Sequence, residues 1–195
     1  MVRWGRFAWF YAVCGAAALA LIVPRGSPLA HPHPRLALDE GSGHLWSLCI
    51  GLAFGSLVVV ASRITVQRFG WARRLHLELR PFASGLSSVG IVVLAVLSSV
   101  GEELLFRGLL QPWLGLWPQA ILFGLLHQMP GPSRWIWAGW AFLVGLSLGA
   151  LFELTGSLAG PLVAHALVNG LNLSFLKRYD PEASSFARSV SWQIR

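Results

Sequence analysis

"VGEELLFRGLLQPWLG", residues 100–115, is the stretch on which the reading of the chain turns. It carries Glu102, Glu103 and Arg107 at the end of Pro81–Val100, 20 residues without a single charge. A run of that length and apolarity matches the hydrocarbon core of a bilayer. A charged side chain at the centre of a membrane helix costs roughly 2.5–3.5 kcal/mol on insertion scales, so ionisable residues kept there point to function. Glu103 and Arg107 stand four residues apart, on one helical face, and can offset each other by pairing. Glu102 points about 100° around the helix from Glu103. No basic residue on its own helix is left for it, which makes it a candidate general base or acid.

The rest of the chain supports a membrane setting. Of 195 residues, 55% are hydrophobic and 12% charged, with a mean hydropathy of +0.61, whereas a soluble domain is about 25% charged. Ten Trp suit a protein with two membrane interfaces. Apolar segments at 7–23, 45–62, 82–100 (continuing helically to 111), 114–128, 135–152 and 157–176 predict an all-α, polytopic bundle of about six spans. The first segment follows Arg3 and Arg6, as in a signal peptide, but has no A-x-A site and reads as a retained helix. Segment 24–44 is a Pro-, Gly- and His-rich loop. Segment 63–80 holds Arg63, Arg68, Arg73, Arg74 and Arg80, with Trp71, Leu75 and Leu79 at helical spacing, and predicts an amphipathic helix on the membrane surface.

The net charge of +7 comes mostly from Arg beside apolar runs. That is a signal for topology and anionic lipid rather than for nucleic acid, of which no motif is present. Counting Arg by side places both termini in the cytoplasm of a cell membrane, on the bacterial pattern. Cys14 and Cys49 lie inside apolar runs and read as packing residues. Gly51/Gly55, Gly145/Gly149 and Gly156/Gly160 mark helices that pack closely. Three regions result: 1–80, N-terminal helices and basic linker; 81–178, the core with the polar residues; and 179–195, a polar tail.

Two further polar pairs repeat the four-residue spacing: Phe123 with His127, and His165 with Asn169. Three spans therefore each turn polar groups to one side. A carboxylate to deprotonate water, a His to hold that water, and His and Asn donors for an oxyanion would together support hydrolysis. Taken singly, each has a plain structural reading: Glu103–Arg107 as an ion pair, His127 as an interfacial residue, His165 and Asn169 as interhelical hydrogen-bonding groups. His31 and His33 read as loop residues, His44 and His76 as interfacial ones, and Glu153 as a loop residue at the end of a span. Ser157 lacks a G-x-S-x-G elbow.

These residues resemble the intramembrane glutamic peptidases of the CPBP (Abi) family, which includes CAAX-prenyl endopeptidases and bacteriocin-processing or immunity proteins. EExxxR is matched by Glu102, Glu103 and Arg107; FxxxH by Phe123 and His127; HxxxN by His165 and Asn169. The likeness covers about residues 84–176. It implies that Glu102 activates water with His127, that His165 and Asn169 stabilise the oxyanion, and that Glu103, Arg107 and Phe123 support them. It further implies a membrane-anchored protein or peptide substrate and no metal or other cofactor. Many relatives have eight spans, and the first 80 residues match nothing specific. Two other readings stand beside it: a zinc peptidase using two His and one Glu, and a non-enzymatic immunity or scaffold protein. With straight spans Glu102 and His127 fall near opposite membrane faces. They must converge to act together, and a long tilted third helix or a fourth one broken at Pro118 would bring this about.

Overall fold

The computed structural model describes residues 4–25, 30–36 and 38–183. Its helices are α1 (Trp4–Ile22), α2 (Glu40–Arg68), α3 (Gly70–Ser84), α4 (Ser88–Leu114), α5 (Leu116–Leu126), α6 (Arg134–Thr155) and α7 (Ala159–Arg178). Five of them, α1, α2, α4, α6 and α7, are long and apolar enough to cross a bilayer. The polytopic helical bundle read from composition is the fold observed.

Local sequence sets the boundaries. Asp39 caps α2 by accepting the Ser42 N–H at 3.0 Å, and Ser87 caps α4 by accepting the Gly90 N–H at 3.0 Å, each satisfying an orphan donor of a first turn. Gly115, at φ +82°, makes the reversal between α4 and α5, a backbone conformation that costs only glycine nothing.

Two ends of the bundle can be told apart by contact. At one end, the Lys177 ammonium donates to the Leu86 carbonyl, and the ring of Trp4 lies beside Gly90. The start of α1, the start of α4 and the end of α7 therefore share that end. At the other, Arg35 pairs with Glu153 at 2.8 Å, and His44 Nδ1 lies 2.6 Å from Ser157 Oγ. Glu153 is thus not a free loop residue: it ends α6 and ties down the loop before α2.

The fourth pass departs from a simple span. Helix α5 has 11 residues, about 16 Å at 1.5 Å each, half of the ~30 Å core. It starts at the Glu153 end, where Leu116 lines one groove with Arg35 and Glu153. The irregular segment 127–133, which ends in a turn, completes the return. It reaches the other end at Ser133, whose N–H and hydroxyl both donate to Glu78 of α3, at 3.2 and 2.8 Å. Pro118 does not break α5; it sits in its first turn, where a missing N–H is harmless. The fourth pass along the bundle is thus half helix and half irregular chain.

The linker 63–80 also differs in detail. Arg63 and Arg68 belong to α2, which is longer than its apolar run. The surface helix begins at Gly70; it turns Ala72, His76 and Ala83 into the bundle and leaves Trp71 exposed on its outer side. His76 is buried within the protein: its ring packs edge-on against Phe175 and Tyr179, and its Nε2 meets the Tyr179 carbonyl at 3.0 Å. Small side chains let α3 sit close to α7, which a Trp face would prevent.

Helices α2 and α7 touch backbone to backbone. A Cβ on Gly51 would strike the Gly160 carbonyl, and one on Gly160 the Ser47 carbonyl. The glycine spacings at 51/55 and 160 are therefore packing devices. Gly156 instead ends α6 in the left-handed conformation, at φ +76°.

Candidate active site

Helix α4 opens into a π turn over Leu104–Leu110, so that the Gln111 N–H bonds back to Phe106. Such turns are rare and occur frequently at functional sites. This one begins immediately after Glu103. Arg107 lies inside it, with its Nη1 2.9 Å from Glu103 Oε1 and its Nη2 2.7 Å from the Gly145 carbonyl of α6. Both side chains are fully buried. Gly145 matters for space, because a Cβ there would stand 2.8 Å from the Phe123 ring.

Glu103 Oε1 takes a second bond. His165 Nδ1, from α7, lies 2.7 Å away. That oxygen already accepts from Arg107, so the imidazole donates, and its Nδ1 carries the hydrogen. His127 follows the same logic. It stands where α5 ends, and its Nδ1 is 2.7 Å from the Phe123 carbonyl, which can only accept. In the neutral ring, both imidazoles then turn an Nε2 lone pair inward.

Both face Glu102. Its Oε2 lies 3.6 Å from His127 Nε2 and 3.7 Å from His165 Nε2, and it has no direct hydrogen-bond partner. Such separations are too long for a direct bond and are the kind across which a water bridges. Side-chain exposure falls from 23% at His127 through 12% at Glu102 to 5% at His165, so the cluster opens on the His127 side.

Phe123 holds the parts together. Its ring is 4.3 Å from that of His127 and 4.7 Å below the Arg107 guanidinium, and it packs edge-on against Phe106 at 4.9 Å. Asn169 lies one turn from His165. Its amide donates to Ser98 Oγ of α4 at 3.0 Å, not to Glu102. Ser98 is one turn before Glu102, so the two contacts stack along one α4–α7 seam.

The long third helix is what brings Glu102 and His127 to one depth. Glu102 is mid-way along the 27 residues of α4, and α5 stops half-way, so that its last turn meets Glu102.

Sequence reasoning missed three contributors: Tyr11, Ser98 and the Gly145 carbonyl. Tyr11, on α1, turns its hydroxyl toward the Glu102 carboxylate. A Cβ on Gly101 would stand 2.5 Å from the Tyr11 carbonyl, so α1 and α4 meet at backbone distance beside the site. The glycine next to the Glu pair was the available signal. Among the described residues, no three His, Cys, Asp or Glu side chains are arranged to hold a metal ion.

Residues 84–171 match the sequence model of the family described as "Type II CAAX prenyl endopeptidase Rce1-like". The uncharacterised protein YpbD of Bacillus subtilis (strain 168) is 35% identical over 81 residues, which are 42% of this chain and 42% of that protein. The chain thus matches less than half the length of that curated relative. No solved structure matches. The family match contains every member of the cluster on α4, α5 and α7 and stops short of Tyr11. Over residues 84–171, a little under half of the chain, the helical core is thus similar to the Rce1-like CAAX prenyl endopeptidases.

Proposed function

We propose that the chain is an intramembrane endopeptidase in which Glu102 activates a water to hydrolyse a peptide bond of a membrane-anchored protein or peptide. The observation that carries this is the position of Glu102 Oε2, 3.6 and 3.7 Å from two inward-facing imidazole nitrogens. A water there donates one hydrogen to Glu102 and the other to His127. Glu102 removes the first as the oxygen attacks the scissile carbonyl carbon. The oxyanion of the tetrahedral intermediate is met by the Asn169 amide, with His165 held beside it by Glu103. Glu102 then passes its proton to the leaving nitrogen, the C–N bond breaks, and acid and amine separate. Glu103, Arg107 and Phe123 fix the rings. Burial strengthens each of these contacts, since little water competes.

The substrate class is a chain that approaches from the His127 side, such as a C-terminal sorting tail or a bacteriocin-like peptide. The setting is a cell membrane, on the bacterial pattern the inner one, with both termini cytoplasmic. No metal takes part in this mechanism. Incubation of purified protein with candidate membrane substrates, read by mass spectrometry, tests it. Glu102→Gln and His127→Ala should each cut the rate by about 10²–10⁴-fold, the usual worth of a general base, with helicity and melting temperature kept. A chelator should leave the rate unchanged; loss that zinc restores would favour a zinc peptidase. Undiminished cleavage by purified Glu102→Gln would sink the proposal.

A further inference from the structure

Beyond the proposed catalytic cluster, the buried face of α4 continues one turn further. Glu103, Arg107 and Gln111 recur at four-residue spacing, and Gln119 of α5 joins them. All four are at most 2% exposed. The mechanism uses neither glutamine. Gln111 Nε2 donates to the Gly149 carbonyl at 2.9 Å. Its Oε1 has no partner, nor do both polar atoms of Gln119, Arg107 Nε and Glu103 Oε2. Five unpaired polar atoms in one file, inside an apolar bundle, call for a ligand, because buried polar groups are stable only when hydrogen-bonded.

Two of them are close enough to share one. A Cβ on Gly149 would stand 2.5 Å from Gln119 Nε2 and 2.8 Å from Gln111 Oε1. The two amides therefore flank one point and lie within a single small molecule's span. Pairing them directly would still leave Gln119 Oε1 against apolar walls. The free atoms are mixed: Gln119 Nε2 and Arg107 Nε donate, while Glu103 Oε2, Gln111 Oε1 and Gln119 Oε1 accept. A cation is repelled by Arg107 and an anion by Glu103. Water both donates and accepts, and buried waters typically make about three hydrogen bonds to such groups. The Leu116 side chain packs against the same point, at 2.7 Å, and its residue also lines the groove of about 360 Å³ near Arg35 and Glu153.

We propose that Gln111 and Gln119 hold ordered water inside the bundle, as a hydrated file that reaches the Glu103–Arg107 pair from the Glu153 end. The file lies on the opposite side of that pair from the opening at His127.

The test does not depend on catalysis. Solid-state NMR of the full chain in bilayers can transfer magnetisation from water to glutamine side-chain amides. Gln67, exposed on α2, serves as the wet reference, and the backbone of the fully buried Phe152 as the dry one. Gln111→Leu and Gln119→Leu assign the two signals by their disappearance; Gln119→Met does so if Leu is not accommodated. Transfer to both amides at a rate close to that of Gln67 is expected. Transfer to either amide no faster than to Phe152 overturns the proposal, whatever the protein does to substrates.

Discussion

At the scale of single residues, the buried ion pair is the feature most exposed to test. Arg107 and Glu103 are both at 0% exposure, where breaking a pair by removing one partner costs about 3–5 kcal/mol, because the other is left as an uncompensated charge. Arg107→Met should therefore lower the melting temperature sharply in detergent. The double variant with Glu103→Gln should recover much of that loss, since no charge then remains. Recovery absent in the double variant would mean that Arg107 acts through its bond to the Gly145 carbonyl rather than through charge. At this scale much was legible. The three four-residue pairs stand out against an apolar background; two of them each lie on one helical face, and the third carries His127 just past the last turn of α5. The partners were not legible. A backbone carbonyl at Gly145, a hydroxyl at Ser98 and the phenol of Tyr11 are ordinary residues in their own helices. Their roles arise from neighbours far away in sequence.

At the scale of elements, a run of apolar residues gives the presence of a helix better than its length. Residues 114–128 have the composition of a span, yet α5 stops at Leu126, and His127 leaves the helical conformation there with its ring beside Glu102. Composition carries no record of that stop. The surface helix α3 illustrates the converse. Its existence followed from periodicity, but its packed face was set by steric fit to α7, with His76 among aromatic rings. Burial pushes the His76 imidazole below its usual pKa of 6.5, against smaller opposing effects of the Tyr179 carbonyl and Asp180. The unfolded state then binds more protons than the folded one below about pH 6.5, and stability rises with pH through that window. Acidification from pH 7.5 to 5 should loosen α3 from α7, and His76→Gln should weaken that dependence. Hydrogen exchange over residues 70–84 at the two pH values measures it. Equal protection in the wild type at both would rule out this account of His76.

At the scale of the whole molecule, the fourth pass decides the topology. If α5 and the segment 127–133 were a re-entrant loop, the five long helices would put the two termini on opposite sides. The Glu78–Ser133 contacts instead bring the chain back to the end where α3 lies, so that α6 starts there. Trp4 and Lys177 share that end through Gly90 and Leu86. The basic residues of α3, Arg73, Arg74 and Arg80, lie there too, as do Arg134 and Arg178. Among the described residues, the Glu153 end offers only Arg25 and Arg35, the second already paired. A surplus of Arg and Lys marks the cytoplasmic side, so both termini should face the cytoplasm. Single cysteines placed at residue 5 and residue 178, in a background without Cys14 and Cys49, test this in intact cells. Neither should react with a membrane-impermeant maleimide until the membrane is opened, while a cysteine at Arg35 should react at once. Labelling of only one terminal cysteine in intact cells would restore the re-entrant reading, and with it five crossings rather than six.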